Sequence, residues 1–142
     1  MKQLLVFALT AGLLCWMMFS ASYKHVAVVR HALLQKEVDY LLEMGANGSY
    51  GYIHADMVEQ SKSRLEERGF VSGDLTYEVA TTSGIPGHLY TQPVPRGTGL
   101  QLTIRYPYGR LFTIDRLIGM PAPDPSLDMA ATGIKMSEYV PE

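Results

Sequence analysis

The four histidines are the side chains in this sequence that most readily bind metals or move protons at neutral pH. They are His25, His31, His54 and His88, and they are scattered along the chain. His25 and His31 are six residues apart, so on a helix they do not share a face as ligands four residues apart would. The histidines therefore predict neither a metal site nor acid–base catalysis.

Other residue patterns that carry chemistry are also missing from the sequence. There is no His-Glu-x-x-His, no Gly-x-Ser-x-Gly and no phosphate-binding loop. Asp115, Asp124 and Asp128 do not have the spacing of a calcium loop. The net charge is -2, with 12 basic and 14 acidic residues, so no basic surplus points to nucleic acid. We expect a protein that is not an enzyme, with no cofactor, no metal and no nucleic-acid partner.

Two charged residues, Arg30 and Glu37, interrupt an otherwise apolar side of a predicted helix. They are seven residues apart, which is too far for an ion pair within one helix. One hypothesis is that each pairs with the opposite charge on an axially shifted neighbouring copy. The alternative is that both side chains reach water while their stems cover apolar surface.

The most apolar stretch of the chain is "LLVFALTAGLLCWMMFSA", residues 4–21, which carries no charge. Eighteen helical residues extend about 27 Å, close to the hydrocarbon thickness of a bilayer. We predict a membrane-spanning and assembly segment, whose principal side chains are Leu4, Leu5, Val6, Phe7, Leu9, Leu13, Leu14, Trp16, Met17 and Phe19. Ser20-Ala21-Ser22 also resembles a cleavage site, so a removed secretion signal is the alternative.

The apolar stretch continues into residues that favour helix. No Gly or Pro occurs between residues 13 and 44, and Gly45-Ala-Asn-Gly48 is a strong stop signal. We therefore predict one helix from Lys2 to Met44. Its second half is amphipathic, with Gln35, Lys36, Asp39 and Glu43 on one side and apolar residues on the other.

The remaining residues predict a small α+β domain. A short helix is expected from about His54 to Arg68, and residues 75–81 and 100–106 alternate as antiparallel strands do. Pro107 suggests the end or edge of a strand, and a third strand within residues 127–140 places Gly133 at a bend or bulge. Residues 110–118 fit either a short helix or an extended segment. The predicted layout is a long N-terminal helix over 1–45, followed by a head over 46–142 that contains the short helix and a three-stranded antiparallel sheet.

The sequence resembles type IV pilin-like proteins, and more narrowly the small TadE-like pilins of tight-adherence systems. The resemblance is carried by "LLVFALTAGLLCWMMF", by the strand "LQLTIRYPY" and by the closing "ATGIKMSEYV". One position differs, because residue five is Leu5, where type IV pilins carry a glutamate at the fifth position of the mature helix.

The resemblance implies a structural subunit of a cell-surface filament, or fimbrium. Its expected partners are the cytoplasmic membrane before assembly, other pilus-assembly proteins, and copies of itself in the filament. Lys24, Arg30 and Lys36 follow the apolar stretch, so charge alone favours the opposite orientation to the extracytoplasmic head that the resemblance implies. The alternatives are a membrane-anchored accessory protein that does not polymerise, a secreted binding domain released after Ser22 and, last, an enzyme.

Overall fold

The computed structural model describes residues 1–109, 117, 119, 121, 124 and 126–141, with the main chain only at residue 23. The helices and strands that can be bounded within these residues confirm the predicted α+β class. They are α1 (Lys2–Gly45), α2 (Ala55–Glu66), β1 (Thr76–Thr81), β2 (Gly99–Pro107) and β3 (Asp128–Met136), with one 3-10 turn at Ser72–Asp74.

The chain divides into two compact units. The first contains Met1–Arg30 and Tyr108–Leu127, and the second contains His31–Pro107 and Asp128–Glu142. Helix α1 contributes residues to both units, and the boundary falls inside it at residues 30 and 31. The segment 110–118, predicted as either a short helix or an extended stretch, lies outside the described residues apart from Leu117.

Helix α1 has 44 residues and ends at Gly45, where the sequence predicts its end. The last turns of α1 supply buried apolar side chains to the second unit, namely Leu34, Val38, Leu41 and Leu42. The apolar stripe is broader than this buried set. Tyr40 and Met44 stay 47% and 36% exposed, so part of the stripe is not used by the core.

The sheet is antiparallel, with β2 in the centre between β1 and β3. Thr103 of β2 lies opposite Glu78 of β1 and Thr132 of β3. The alternation predicted for β2 is confirmed, since Leu100, Leu102, Ile104 and Tyr106 are all buried. Pro107 is the last residue of β2, so it marks the end of a strand that is not an edge strand.

Gly133 lies in an unbroken ladder opposite Leu102, so the predicted bend or bulge at this glycine is wrong. A Cβ atom at Gly133 would lie 2.9 Å from both Leu42 Cδ1 and Val38 Cγ1 of α1. The glycine is therefore required because the helix approaches this part of the sheet closely, not because the strand turns there.

Helix α2 is shorter than predicted by one residue at its start and two at its end. Its end is closed by Gly69, which has a positive φ of 91°, and by the Phe70 amide, which donates to the Leu65 carbonyl at 3.1 Å. This arrangement resembles a glycine-terminated helix cap. It turns Phe70 into the core, where its ring contacts Tyr106 edge to face.

A polar stripe on α1 runs along the outer edge of β3. His31 Nε2 lies 3.0 Å from the Ala130 carbonyl, and Gln35 Nε2 donates to the Thr132 carbonyl at 3.3 Å. Glu43, which lies one helical turn after Asp39, forms an ion pair with Lys135 at 3.4 Å. The polar side predicted from periodicity therefore covers a strand edge in addition to facing water.

Candidate functional site

The predicted membrane and assembly side chains all lie within the first five turns of α1. Nine of the ten are at least 56% exposed, and Trp16 is half-buried. Soluble monomers rarely leave a contiguous apolar surface of this extent in water. The segment therefore presents an apolar surface that the described part of this chain does not cover.

The length and composition of α1 satisfy the requirements for a membrane span. An 18-residue window reaches a mean hydropathy of 2.1, and none of it is buried within the chain. All main-chain hydrogen bonds of a helix are internal, which is what a hydrocarbon environment requires. One N-terminal helix of this chain is thus long and apolar enough to cross a bilayer.

The apolar segment also has a shallow notch at Gly12. It is lined by Ala8, Leu9, Leu13 and Trp16 together with Leu5, and the described atoms leave open space where a Cβ of Gly12 would lie. Small residues spaced by four allow another helix to approach the main chain closely. The main chain at Gly12 is therefore open to close approach by another helix.

Glu37 is buried inside the second unit, where it pairs with Arg64 of α2. The Arg64 Nε donates to Glu37 Oε1 at 3.2 Å and Nη2 donates to Oε2 at 2.9 Å, so the ion pair is bidentate. The Glu37 side chain is 7% exposed and that of Arg64 is 32% exposed. Hydrogen bonding to Glu37 raises the pKa of the Arg64 guanidinium above its ordinary value.

This internal pair gives Glu37 a partner 27 residues away in its own chain. Only 7% of its side chain is exposed, so the alternative in which Glu37 reaches water is wrong for the single chain. The pairing of Glu37 with a neighbouring copy stays a prediction. Arg30 is half-buried in the first unit, and its predicted pairing across subunits stays a prediction.

The Glu37–Arg64 pair belongs to a larger polar network. Ser61, fully buried, donates to Glu37 Oε2 at 3.0 Å and shares a hydrogen bond of 2.9 Å with Tyr77 Oη. Burial raises the pKa of the Tyr77 phenol above its ordinary value. The Arg64 guanidinium also lies 4.8 Å from the centre of the Tyr40 ring. The network ties α1, α2 and β1 together.

The side chains that sequence reasoning considered for chemistry do not converge. No group of three or more metal-ligating side chains occurs in the described ranges. Of the histidines, His54 and His88 line one surface pocket on the second unit, and His31 contacts the edge of β3. No protein-family model, curated protein or solved structure matches the chain.

Proposed function

We propose that this protein is a structural, non-catalytic subunit of a cell-surface filament that polymerises through the apolar half of α1. One observation carries the proposal: an uncharged segment about 27 Å long whose side chains stay exposed in the single chain. Such a surface is first covered by the hydrocarbon of the cytoplasmic membrane. When it leaves lipid it must be buried again, and the same segment of other copies supplies a matching apolar surface.

In this proposal the second unit is the head of the subunit, on the outer side of the membrane. Its own core is complete without the apolar segment, because Leu34, Val38, Leu41 and Leu42 of α1 are buried there. This leaves the first half of α1 for the membrane and for other subunits. Other pilus-assembly proteins extract the subunit from the membrane.

The Gly12 notch gives a test that separates a filament subunit from a simple membrane anchor. Gly12→Leu fills the notch and keeps the segment apolar, so we expect normal membrane insertion but at least tenfold less sheared filament on the cell surface. Met18→Leu is the matched control, because it conserves volume at an exposed position away from the notch and should leave both quantities unchanged. Full assembly of Gly12→Leu filaments would contradict a role for close helix packing.

The alternative is a membrane-anchored accessory protein, and expression of the wild-type chain tests it. If cells that express it carry no filaments containing it, while the chain remains in the membrane, the accessory role replaces the structural one. A reporter that is active only outside the cytoplasm, fused after residue 142, tests the orientation. We expect this fusion to be active. If a reporter that works only in the cytoplasm is active when it is fused at the same position, the proposal is wrong.

A further inference from the structure

One edge of the sheet is covered and the other is open. Along β3, His31 and Gln35 contact the outward carbonyls of Ala130 and Thr132. Along β1, at the opposite edge, no described residue forms a hydrogen bond to the main-chain groups of 76–80 that point away from β2. An unpaired strand edge is a template for another extended chain.

A groove of about 710 Å³ lies beside this open edge. Helix α2 forms one wall through Ala55, Val58, Glu59 and Lys62, and the segment from Leu75 to Val79 forms the other. Ile53, Val58, Leu75 and Val79 make its lining largely apolar. A strand added to β1 would place alternate side chains in this groove.

A second pocket of about 440 Å³ continues the groove, since the two share Ala55 and His88. It is lined by three tyrosines, with Tyr52 nearly perpendicular to Tyr50 at 83° and to Tyr90 at 76°. Tyr90 is 77% exposed, so its ring is accessible to a ligand. Walls of aromatic rings at steep angles suit an organic cation, which is attracted to ring faces.

The charge of the groove and pocket together is negative. The ionised side chains that line them are Asp56, Glu59, Glu78 and Lys62, three carboxylates against one ammonium. Glu59 pairs with Lys62 and Glu78 pairs with Arg105, both at 3.3 Å. These pairs are largely exposed, and such pairs contribute little, so a cation on a ligand can replace Lys62 or Arg105 at modest cost.

We propose that the β1 edge, with its groove and tyrosine pocket, binds an extended cationic peptide segment of another protein. The peptide adds a fourth strand beside β1, places apolar side chains in the groove and rests a Lys or Arg side chain against Tyr52 and Tyr90. The binding surface lies entirely in the second unit, so the proposal does not depend on filament formation.

The test uses the full chain in non-ionic detergent and a fluorescent six-residue probe peptide, followed by anisotropy. The probe is Val-Thr-Val-Thr-Lys-Thr, in which the two valines and the lysine share one face of the strand. We expect saturable binding, at least tenfold weaker for the same peptide with glutamate in place of lysine. N-methylation of one alternate set of probe residues should abolish binding, and N-methylation of the other set should leave it, because strand addition uses every second amide. No saturable binding of the valine–lysine peptide overturns the proposal.

Variants locate the site on the protein. Tyr90→Ala should weaken the valine–lysine peptide about two- to fivefold, the range expected for an exposed cation–π contact. Met136→Ala, at an exposed apolar position on β3, should have no effect. Circular dichroism confirms that both variants are folded. Equal binding of the lysine and glutamate peptides, indifference to both N-methylated sets, or equal effects of Tyr90→Ala and Met136→Ala would each overturn the proposal.

Discussion

At the scale of single residues, Glu37 is a buried charged side chain of the second unit. Its carboxylate accepts hydrogen bonds from Arg64 and Ser61 in a place where only 7% of its side chain reaches water. A buried carboxylate is tolerated when its oxygens are satisfied, and removing one partner leaves the other uncompensated. Loss of one partner should therefore cost more than the net attraction of the pair contributes.

Replacing Glu37 by alanine should lower the free energy of unfolding by about 2–3 kcal/mol. This is below the range for fully buried pairs, because Arg64 is about one-third exposed and keeps some hydration when its partner is lost. Chemical denaturation followed by circular dichroism measures the change. Glu59→Ala breaks the exposed pair with Lys62 and is the control, expected within about 0.5 kcal/mol of wild type. Equal effects of the two substitutions would contradict the burial argument.

The Tyr77 phenol makes stability depend on pH in the alkaline range. Its pKa is raised by burial, so the folded chain keeps the proton at a pH where the unfolded chain releases it. The resulting stabilisation is complete below pH 10 and is lost as the pH rises through the folded-state pKa. Tyr77→Phe should therefore flatten the decline in unfolding free energy above pH 10. A decline as steep in Tyr77→Phe as in wild type would show that other groups cause it.

Helices and strands could be predicted from the sequence where the local pattern of residues is uniform. The uninterrupted run of helix formers up to Gly45 and the alternation of Leu100, Leu102 and Ile104 both indicate their structures directly. The exposed apolar segment at the start of α1 could be predicted because its signal is composition alone. The ends of α2 were less well placed, since capping residues on either side allow a shift of one or two residues.

The sequence did not indicate which distant elements are in contact. Arg64 is 27 residues from Glu37, and nothing in either local pattern marks them as partners. Gly133 fits a bulge as well as it fits a close approach by α1, and only the packing of Leu42 and Val38 against it decides. The groove beside β1 likewise depends on where α2 packs, which periodicity does not specify.

A substitution of Gly133 tests the close packing of α1 against β3. Gly133→Val improves β-propensity but places methyl groups where Val38 and Leu42 already lie, so it should destabilise the chain by about 1–3 kcal/mol. Gly73→Ala is the control, because a Cβ there meets no described atom within 4 Å. Thermal unfolding of the two variants measures the difference. A Gly133→Val variant as stable as wild type would mean that α1 does not approach β3 this closely.

At the scale of the whole molecule, the two halves of α1 differ in how their apolar side chains are covered. The second half contributes to the buried core of the second unit, whereas the apolar segment of the first half stays exposed in the single chain. In the proposed filament this segment is transferred from lipid to neighbouring copies and never faces water. The chain contains one cysteine, Cys15, and it lies in the middle of that segment.

Thiol labelling of Cys15 tests this claim most directly. A charged, membrane-impermeant maleimide is applied to intact cells and to purified filaments, with and without denaturant, and labelling is measured by mass spectrometry of the intact chain. Ser83→Cys in a Cys15→Ser background is the control for access to the exposed head. We predict that Cys15 is retained but labelled only after denaturation, while the head cysteine is labelled at once. Rapid labelling of Cys15 in either native preparation, or a mature chain without it, would contradict the account.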